Sequence, residues 1–339
     1  MVTIEDVAKQ AGVSISTVSR VLNGNTRVNA EVRRRVEVAV AALSYRPNPA
    51  ARSLRGNKSR IIGLLVSDIQ NPFFMALIRG VEDEALRHEY SLILCNSSES
   101  PQREQQYLDV LDAERVAGAI IVPTREQLSE ETLRRFAERR VPIIAVDRRL
   151  KNRGIDAVLV DNLRGAREAV AHLIANGYRR IGVITGPANL TTGRERLAGY
   201  RQAVQQAGLA LDPALERCGP FTVTCGGELA AQLLDIKPAI DALFVGNNLQ
   251  TLGALNAIYA RGLRVPDDVG VVGYDEVPWA GLGTISLTVV TQPVYELGRT
   301  AALRLFQRLD NSGQGSRQEI VLDPELVVRG SSRPRPGVT

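Results

Sequence analysis

The sequence has little of the side-chain chemistry that builds metal and catalytic centres. Its 339 residues include three cysteines, two histidines and one tryptophan. The two histidines, His88 and His172, leave little for a histidine-based metal site, so we expect no metal and no cofactor. An odd and sparse set of cysteines argues against a disulfide framework and favours reduced thiols in a cytoplasm. Cys218 and Cys225 have no histidine near them in sequence, and we expect buried structural thiols.

Long hydrophobic runs, a targeting signal and catalytic motifs are also absent. No apolar run approaches the roughly 18–20 residues that span a bilayer. The opening stretch MVTIEDVAKQ carries two acidic residues and no apolar core, so it does not resemble a secretory signal. The sequence contains no G-x-x-x-x-G-K-[ST], G-x-S-x-G, H-E-x-x-H or C-x-x-C. We therefore expect a protein of the cytoplasm, associated with the nucleoid if it binds DNA, that contacts no membrane and is not an enzyme.

Positive charge is concentrated at the N-terminus. The chain carries a net charge of +5, and 44% of its residues are hydrophobic, enough to bury large cores in two or three domains. Residues 1–60 hold eleven Lys and Arg against four Asp and Glu, a net charge of +7, whereas the remaining residues sum to −2. A small basic domain on a near-neutral body predicts a polyanion as the partner of the small domain.

Residues 1–46 have the spacing of three short helices. Thr3 is a plausible N-cap of the first helix, Gly12 and Val13 form a tight turn, and Ser14 caps the second helix. The second helix would bury its apolar residues and present a polar face that includes Arg20, a side chain able to donate two hydrogen bonds to guanine. This is the plan of a helix-turn-helix DNA-binding domain. The alternative is a three-helix bundle that only decorates the body.

From Ile61 onward, short β-branched runs alternate with amphipathic helical segments. The runs form two series, at 61–67, 92–96, 119–123 and 143–147, then at 157–161, 181–186, 242–246 and 270–275. Helical segments lie between them, near 73–89, 102–115, 130–139, 163–176, 194–207, 226–235 and 249–262. This alternation predicts a fold class of a small all-α helix-turn-helix headpiece plus an α/β two-lobed domain with two parallel sheets covered by helices. The end of the chain, 331–339, has no apolar pattern, and we expect a mobile tail.

Polar and aromatic side chains follow several of these runs, where ligands of open parallel sheets bind. Asn71 follows the first run, Asp147 and Arg148 close the fourth, and Asp275 ends the last one. Carboxylates accept hydrogen bonds from hydroxyls, and Arg and Asn donate them, so the set suits a polyol. Two Asp and two Arg would make the site formally neutral, which disfavours a phosphate. The alternatives are an ordinary surface salt bridge for Asp147–Arg148 and core packing for the nearby phenylalanines.

The N-terminal segment resembles the headpiece of the lactose-repressor (LacI/GalR) family, and the similarity continues to about Gly330. Three stretches carry it: Thr3–Ala8, Ala11–Ser14 and Thr17–Asn23. Leu43, Tyr45, Pro47, Asn48 and Ala51–Leu54 resemble the hinge of that family. The body also resembles periplasmic sugar-binding proteins of the ribose type. The expected domains are a headpiece at 1–47, a hinge at 48–60, and a two-lobed domain at 61–330. Its N-lobe would comprise 61–160 and 292–320, and its C-lobe 161–290 and 321–330.

The resemblance implies a homodimeric transcriptional regulator, a repressor in most of the family, bound to a near-palindromic operator. Asn48 can cap, and Pro49 can begin, a short hinge helix at 49–56, whose Leu54 would wedge into the minor groove. For Leu54 the alternative is an interdomain contact, and Arg52 and Arg55 would contact phosphates or serve the linker rather than read bases. The implied DNA-binding residues are Thr3, Ser14, Ile15, Ser16, Thr17, Ser19, Arg20, Asn23, Asn29, Ala51, Arg52, Leu54 and Arg55.

The resemblance also implies a sugar effector, a pentose or related monosaccharide, held between the lobes to control operator affinity. Matching aromatic residues sandwich the sugar ring in the family, and matching polar residues bind its hydroxyls. The implied effector-binding residues are Asn71, Phe73, Phe74, Asp147, Arg148, Thr192, Arg196, Phe221, Asn247, Asp275 and Gln292. Three departures bear on the identity of the sugar: Asn248 stands where relatives often have Asp, Trp279 follows the Asp275 loop, and Arg149 adds a cation that would accept a sugar acid.

Two other functions are compatible with parts of this pattern. A sugar-modifying α/β enzyme fused to a DNA-binding module would need a nucleophile or an acid–base pair beyond Asp147 and Asp275. A transport binding protein conflicts with the missing signal peptide and the basic headpiece. Neither the operator, nor the sugar, nor the direction of its effect on DNA binding follows from the sequence.

Overall fold

The computed structural model describes residues 2–22, 28–45, 59–152, 154–277, 286–310 and 316–335. The chain divides into two compact units, 1–59 and 60–339. Trp279 and the predicted hinge helix at 49–56 lie outside the described residues.

Three helices form the described part of the smaller unit: α1 (Ile4–Ala11), α2 (Ile15–Leu22) and α3 (Ala30–Ala42). Thr3 begins α1 as predicted, because its hydroxyl accepts the Asp6 N–H while the Asp6 carboxylate accepts the Thr3 N–H. Fully buried Val7, Val18 and Val36, one from each helix, meet in the core.

The turn between α1 and α2 depends on a glycine and on an arginine from α3. Gly12 lies at φ +63°, in the left-handed region that ends helices. Arg35 donates from Nε to the Ala11 carbonyl at 3.0 Å and from a terminal nitrogen to the Gly12 carbonyl at 3.0 Å. These bonds satisfy carbonyls that the end of α1 leaves without helical partners. Arg35 therefore fixes the turn that orients α2.

The larger unit contains two six-stranded sheets. The strand order of the first sheet is β11-β5-β4-β3-β1-β2, and all its strands are parallel. Its strands are β1 (Ile61–Val66), β2 (Ser91–Asn96), β3 (Gly118–Ile121), β4 (Ile143–Val146), β5 (Asp156–Val160) and β11 (Glu319–Leu322). The prediction of a parallel sheet in the first lobe is confirmed.

The second sheet has the order β12-β10-β9-β8-β6-β7, and it is parallel except for the antiparallel pair β10–β12. Its strands are β6 (Ile181–Thr185), β7 (Glu216–Cys218), β8 (Ala242–Val245), β9 (Gly270–Tyr274), β10 (Thr288–Thr291) and β12 (Glu325–Val327). β12 is antiparallel to β10 because the chain returns to this sheet directly after β11, without an intervening helix. Cys218 ends the edge strand β7 and is exposed, so the expectation of a buried thiol is wrong there, and Cys225 is only half-buried.

Helices cover both sheets. They are α4 (Pro72–Arg87), α5 (Pro101–Ala113), α6 (Glu130–Glu138), α7 (Asn162–Ala175), α8 (Thr191–Gln206), α9 (Val223–Leu234), α10 (Asn248–Ala260) and α11 (Val294–Asp310). The sequence pattern predicted all of them except α11. α11 packs closely on α4: a Cβ added at Gly80 or Gly298 would lie 2.2 Å from a backbone oxygen of the other helix.

The chain passes between the sheets three times: after β5, after β10 and after β11. We call the part built on the first sheet, with α4–α6 and α11, the first lobe. The part built on the second sheet, with α7–α10, is the second lobe. One cavity is lined by residues that follow the carboxyl ends of β1, β2 and β4 in the first lobe and of β6, β8 and β9 in the second lobe.

Residues 331–335 are ordered against the second lobe, so the prediction of a mobile tail is wrong for this part. Ser331 and Ser332 are buried, and Ser331 donates from Oγ to the Val271 carbonyl at 2.6 Å. Ser332 Oγ lies 2.7 Å from Thr288 Oγ1 and 2.8 Å from His172 Nε2. Hydrogen bonds hold this segment, and a search for apolar periodicity does not detect them. Residues 336–339 lie outside the described residues.

None of the helices in the described ranges is both long enough and apolar enough to span a bilayer.

Candidate functional sites

The second helix of the smaller unit presents a polar face. Val18 and Val21 are buried, whereas Ser16 and Arg20 are exposed. Ser14 caps the helix as predicted, because its Oγ accepts the Thr17 N–H at 3.2 Å. The exposed face therefore carries small hydroxyls and one guanidinium, a combination that can approach base edges.

The other predicted DNA-binding residues divide into three groups. Thr3 and Asn29 cap α1 and α3, and Asn29 Oδ1 accepts the Glu31 N–H at 2.8 Å. Ile15, Thr17 and Ser19 are half-buried on α2. The remaining five lie outside the described residues: Asn23, Ala51, Arg52, Leu54 and Arg55.

All eleven predicted effector-binding residues line one cavity between the lobes. They are Asn71, Phe73, Phe74, Asp147, Arg148, Thr192, Arg196, Phe221, Asn247, Asp275 and Gln292. The cavity is also lined by Asp68 and Glu99, which sequence reasoning missed. Both follow ends of predicted strands, so the rule that found Asn71 and Asp147 would have found them too.

Arg148 is held by Glu99. Its two terminal nitrogens donate to the Glu99 carboxylate at 2.7 and 2.6 Å, and one of them also donates to the Pro123 carbonyl at 3.2 Å. Partial burial would raise the pKa of Glu99, but the charge and hydrogen bonds of Arg148 outweigh it and hold this pKa below its usual range. Only Nε of Arg148 remains unbonded, 3.6 Å from Asp147 Oδ2. The Asp147–Arg148 pair is thus buried and is not an ordinary surface salt bridge.

Asp147 and Asp275 are the two buried carboxylates that each lie one residue beyond a strand end. Both have left-handed backbone conformations, with φ of +66° and +71°. Burial raises the pKa of Asp147 to about 6, against the lowering effect of Arg148 and Arg196. Burial likewise raises the pKa of Asp275, although Arg196 and the Gln292 amide, which donates to Asp275 Oδ1, lower it. Each carboxylate would gain from a further hydrogen-bond donor in the cavity.

Arg196 is fixed by contacts within the second lobe. Its Nε donates to Asn162 Oδ1 at 2.8 Å, and a terminal nitrogen donates to the Gly246 carbonyl at 2.5 Å. The guanidinium carbon lies 3.7 Å from the centroid of the Tyr274 ring, within cation–π range. These contacts orient the guanidinium before any ligand enters.

The aromatic residues of the cavity have two roles. Phe73 and Phe74 belong to the core of the first lobe and line the cavity as well, with ring centroids 5.0 Å apart in an edge-to-face arrangement. Both rings therefore pack in the core and also lie in the cavity wall, where the sequence predicts a ligand surface. Phe221 occupies the space beside Gly186, where an added Cβ would lie 2.0 Å from its ring. Only glycine at position 186 leaves room for this ring.

Polar atoms without partners point to a polar ligand. Among the described residues, Arg148 Nε, Thr192 Oγ1 and Gln292 Oε1 are buried in the cavity wall and make no hydrogen bond. A buried unpaired donor or acceptor costs about 1–3 kcal/mol. A ligand that carries several hydroxyls would satisfy these three atoms together.

The charge of the cavity disfavours an anion. Its lining among the described residues includes four carboxylates, Asp68, Glu99, Asp147 and Asp275, but two guanidiniums. Arg149 does not line it, because its side chain pairs with Glu195 at 2.7 Å and with Glu319 at 2.8 Å. The expectation that Arg149 would accept a sugar acid is therefore wrong.

Both units match models of one protein family. Residues 3–48 match the model described as bacterial regulatory proteins, lacI family. Residues 59–322 match the model described as periplasmic binding proteins and sugar binding domain of LacI family.

Individual proteins are similar over nearly the whole chain. The ribose operon repressor of Escherichia coli (strain K12) is 37% identical over 98% of this chain and 100% of its own length. The lac repressor dimer bound to operator and the anti-inducer ONPF is 29% identical, with a TM-score of 0.82 over 98% of this chain and 99% of that one. A LacI family regulator from Enterococcus faecium with bound ribose is also 29% identical, with a TM-score of 0.72 over 81% and 99%.

Proposed function

Because this chain belongs to the LacI family of bacterial regulatory proteins, we propose that the cavity between its lobes binds an uncharged monosaccharide of pentose size. The protein is a DNA-binding transcriptional regulator controlled by a sugar effector. The observation that carries the proposal is the convergence of eleven predicted residues on one cavity with unpaired polar atoms.

The side chains have complementary roles in this proposal. Asp147 and Asp275 accept hydrogen bonds from sugar hydroxyls, and Arg196 donates to a hydroxyl or ring oxygen. Phe73 and Phe221 cover the C–H surfaces of the ring. Charge-assisted bonds of this kind discriminate strongly between sugars, because a missing hydroxyl leaves a buried charge unpaired.

The charge of the cavity favours a neutral sugar. Its excess of carboxylates would repel a phosphate or a sugar acid. A family member that carries ribose supports the same choice.

On the DNA side, we infer that α2 enters the major groove and that Arg20 reads a guanine. Two copies of the chain would place two such helices on a near-palindromic operator, as a homodimer that represses transcription. Leu54, outside the described residues, would wedge into the minor groove between the half-sites.

We also infer that the chain catalyses no reaction. Its relatives are transcriptional regulators, and the paired carboxylates Asp147 and Asp275 have a sufficient role in hydroxyl recognition. Incubation of the protein with each sugar that it binds, followed by chromatography, should return the sugar unchanged. Conversion of the sugar would establish the alternative of a sugar-modifying enzyme.

A thermal-shift panel followed by calorimetry tests the effector. We would screen D-ribose, D-xylose, L-arabinose, D-glucose, D-gluconate and ribose 5-phosphate against the full chain. A neutral pentose at 100 times its Kd should stabilise the protein by about 2.7 kcal/mol. Asp275→Asn should reduce this shift, whereas Asp268→Asn should retain it, since Asp268 pairs with Arg264 on the exposed surface of the same lobe. A panel in which only the acid or the phosphate binds would reject the proposal.

A further inference from the structure

The first turns of α8 contact the cavity on one face and the opposite lobe on another. Thr192 and Arg196, four residues apart, line the cavity. Thr191 and Glu195, also four residues apart, both contact Arg149 of the first lobe. Residues at this spacing lie on the same side of a helix. The two faces belong to one rigid turn, so neither can move without the other.

Arg149 makes a first connection between the first lobe and the start of α8. Its backbone N–H donates to Thr191 Oγ1 at 3.1 Å, and its guanidinium donates to Glu195 at 2.7 Å. Glu319, on the edge strand β11 of the first lobe, accepts two further bonds from that guanidinium at 3.0 and 2.8 Å. Arg149 is thereby anchored in one lobe while it binds the other.

Glu126 makes the second connection. One carboxylate oxygen accepts from Arg194 of α8 at 2.5 Å, and the other accepts from Lys151 of its own lobe. These two cations hold the pKa of Glu126 below its usual range, although burial opposes them. Glu126 therefore remains charged at neutral pH and keeps its ion pair with Arg194.

The N-terminus of α8 has no side-chain cap. Leu190 occupies the N-cap position and makes no side-chain cap, and the first turn contains no acidic residue. Most helices in the described part of the chain begin with an Asn, Ser, Thr or Asp that caps them. The position of the α8 N-terminus thus depends more than usual on contacts from elsewhere in the fold.

We propose that Glu126 and Arg149 are positioning residues for the effector: from the first lobe they hold the start of α8 and so align Thr192 and Arg196 with the sugar. This inference rests on the proposed function, since it concerns the same cavity. Neither residue lines that cavity. They act through α8, whose start they contact from the opposite lobe.

Exposure sets the size of the effect. The side chains of Arg194 and Glu126 are 45% and 24% exposed, and those of Arg149 and Glu195 are 32% and 26% exposed. Partly exposed ion pairs are weak and sensitive to salt. Loss of either connection should therefore weaken sugar binding by about two- to fivefold, and added salt should reduce the difference from wild type.

The test uses the full chain and two measurements, one of which needs no sugar. Glu126→Gln and Arg149→Gln should each speed hydrogen exchange of the backbone amides at 191–196 in the free protein. They should also weaken binding of D-ribose, or of whichever pentose in the panel binds wild type. The double variant Glu126→Gln with Arg194→Gln should bind the sugar no more weakly than either single variant. Each single substitution already removes the whole ion pair, so the second has nothing further to remove.

Glu131→Gln is the matched control. Glu131 pairs with Arg134 at 3.1 Å within α6 of the first lobe, so its loss should change neither measurement. Unchanged exchange at 191–196 in both test variants would overturn the proposal, as would unchanged affinity for a sugar that wild type binds. If wild type binds no sugar in the panel, the proposed effector fails, and the exchange measurement still decides whether Glu126 and Arg149 hold α8.

Discussion

Asn248 of the second lobe donates from Nδ2 to Oδ1 of Asn71 in the first lobe at 2.8 Å, and both side chains are buried. Asn71 Oδ1 also accepts the Phe73 N–H at 3.0 Å as the N-cap of α4. Asn248 Oδ1 in turn accepts from the Leu249 N–H and from Asn247 Nδ2. One hydrogen bond thus joins the starts of two helices, α4 and α10, across the effector cavity.

Asn248→Asp should weaken effector binding. The new carboxylate would face Asn71 Oδ1, which has no proton to donate, so the closed arrangement of the lobes would lose a bond and gain a repulsion. The expected cost is about 1–3 kcal/mol, or about five- to 150-fold in Kd by calorimetry. Asn256→Asp, at an exposed position of the same helix, is the control. Equal affinities for the two variants would show that the Asn71–Asn248 bond does not contribute to closure.

The residues that line the cavity could be predicted from the sequence because sheet geometry determines where the residues after each strand lie. Parallel strands end at a common edge, so Asn71 and Asp147 had to lie at one edge of the first sheet once their strands were assigned. Asp275 lies at the corresponding edge of the second sheet. The same rule applies to Glu99, but its role required knowledge of its partner Arg148, which is 49 residues away in the chain.

Long-range pairing explains the wrong expectations. The sequence shows Arg149 as a cation beside the cleft, but Glu319, 170 residues further on, neutralises it. The sequence predicts a mobile tail at Ser331 and Ser332. Their hydrogen bonds to β9 and β10 produce no periodic pattern of hydrophobic residues, so the sequence does not reveal them. Hydropathy detects burial of apolar faces and does not detect which charges or hydroxyls meet.

Arg20→Ala should relax sequence preference at one symmetric position of the operator. Arg20 is exposed on the polar face of α2, beside Ser16. Loss of a base contact should cost about 1–3 kcal/mol on the preferred operator and less on operators altered at that position. Fluorescence anisotropy at fixed salt, on a set of single-base operator variants, measures this. A uniform loss on all sequences would instead make Arg20 a phosphate contact.

Asp147→Asn should stabilise the folded chain at high pH. Burial raises the pKa of Asp147 from 3.8 to about 6, so the protonated form favours folding. That contribution is complete below pH 3.8 and is lost as the pH rises through about 6. Asparagine carries no charge and tolerates a left-handed backbone. We expect a gain of about 2–3 kcal/mol at pH 8 that vanishes near pH 4.

Thermal melts at several pH values measure the difference from wild type. Asp268→Asn is the control, because the hydrogen bond from Arg264 lowers the pKa of the exposed Asp268, and its loss should bring no gain at pH 8. A pH-independent gain in Asp147→Asn would mean that the carboxylate is not strained by burial. The stabilised variant should also bind the sugar more weakly, since an amide replaces a charged acceptor.

The last prediction concerns coupling between the effector cavity and the DNA-binding residues. If both sites share one two-state equilibrium, sugar and operator must alter each other's affinity by the same factor. Asp275→Ala removes a buried acceptor, with a cost of about 1–3 kcal/mol. It should weaken sugar binding by about five- to 150-fold and leave operator affinity without sugar nearly unchanged. Leu54→Ala should do the opposite, since it leaves the cavity intact.

Calorimetry with sugar and fluorescence anisotropy with operator, on both variants and wild type, separate these effects. The informative quantity is the shift in operator affinity at saturating sugar. In Asp275→Ala this shift should be recovered when the sugar concentration is raised in proportion to the weakened Kd, because the variant impairs occupancy and not the equilibrium itself. A shift that stays absent at full occupancy would make Asp275 part of the transmission between the sites. Sugar binding as tight as wild type in Asp275→Ala would instead remove Asp275 from the cavity's function.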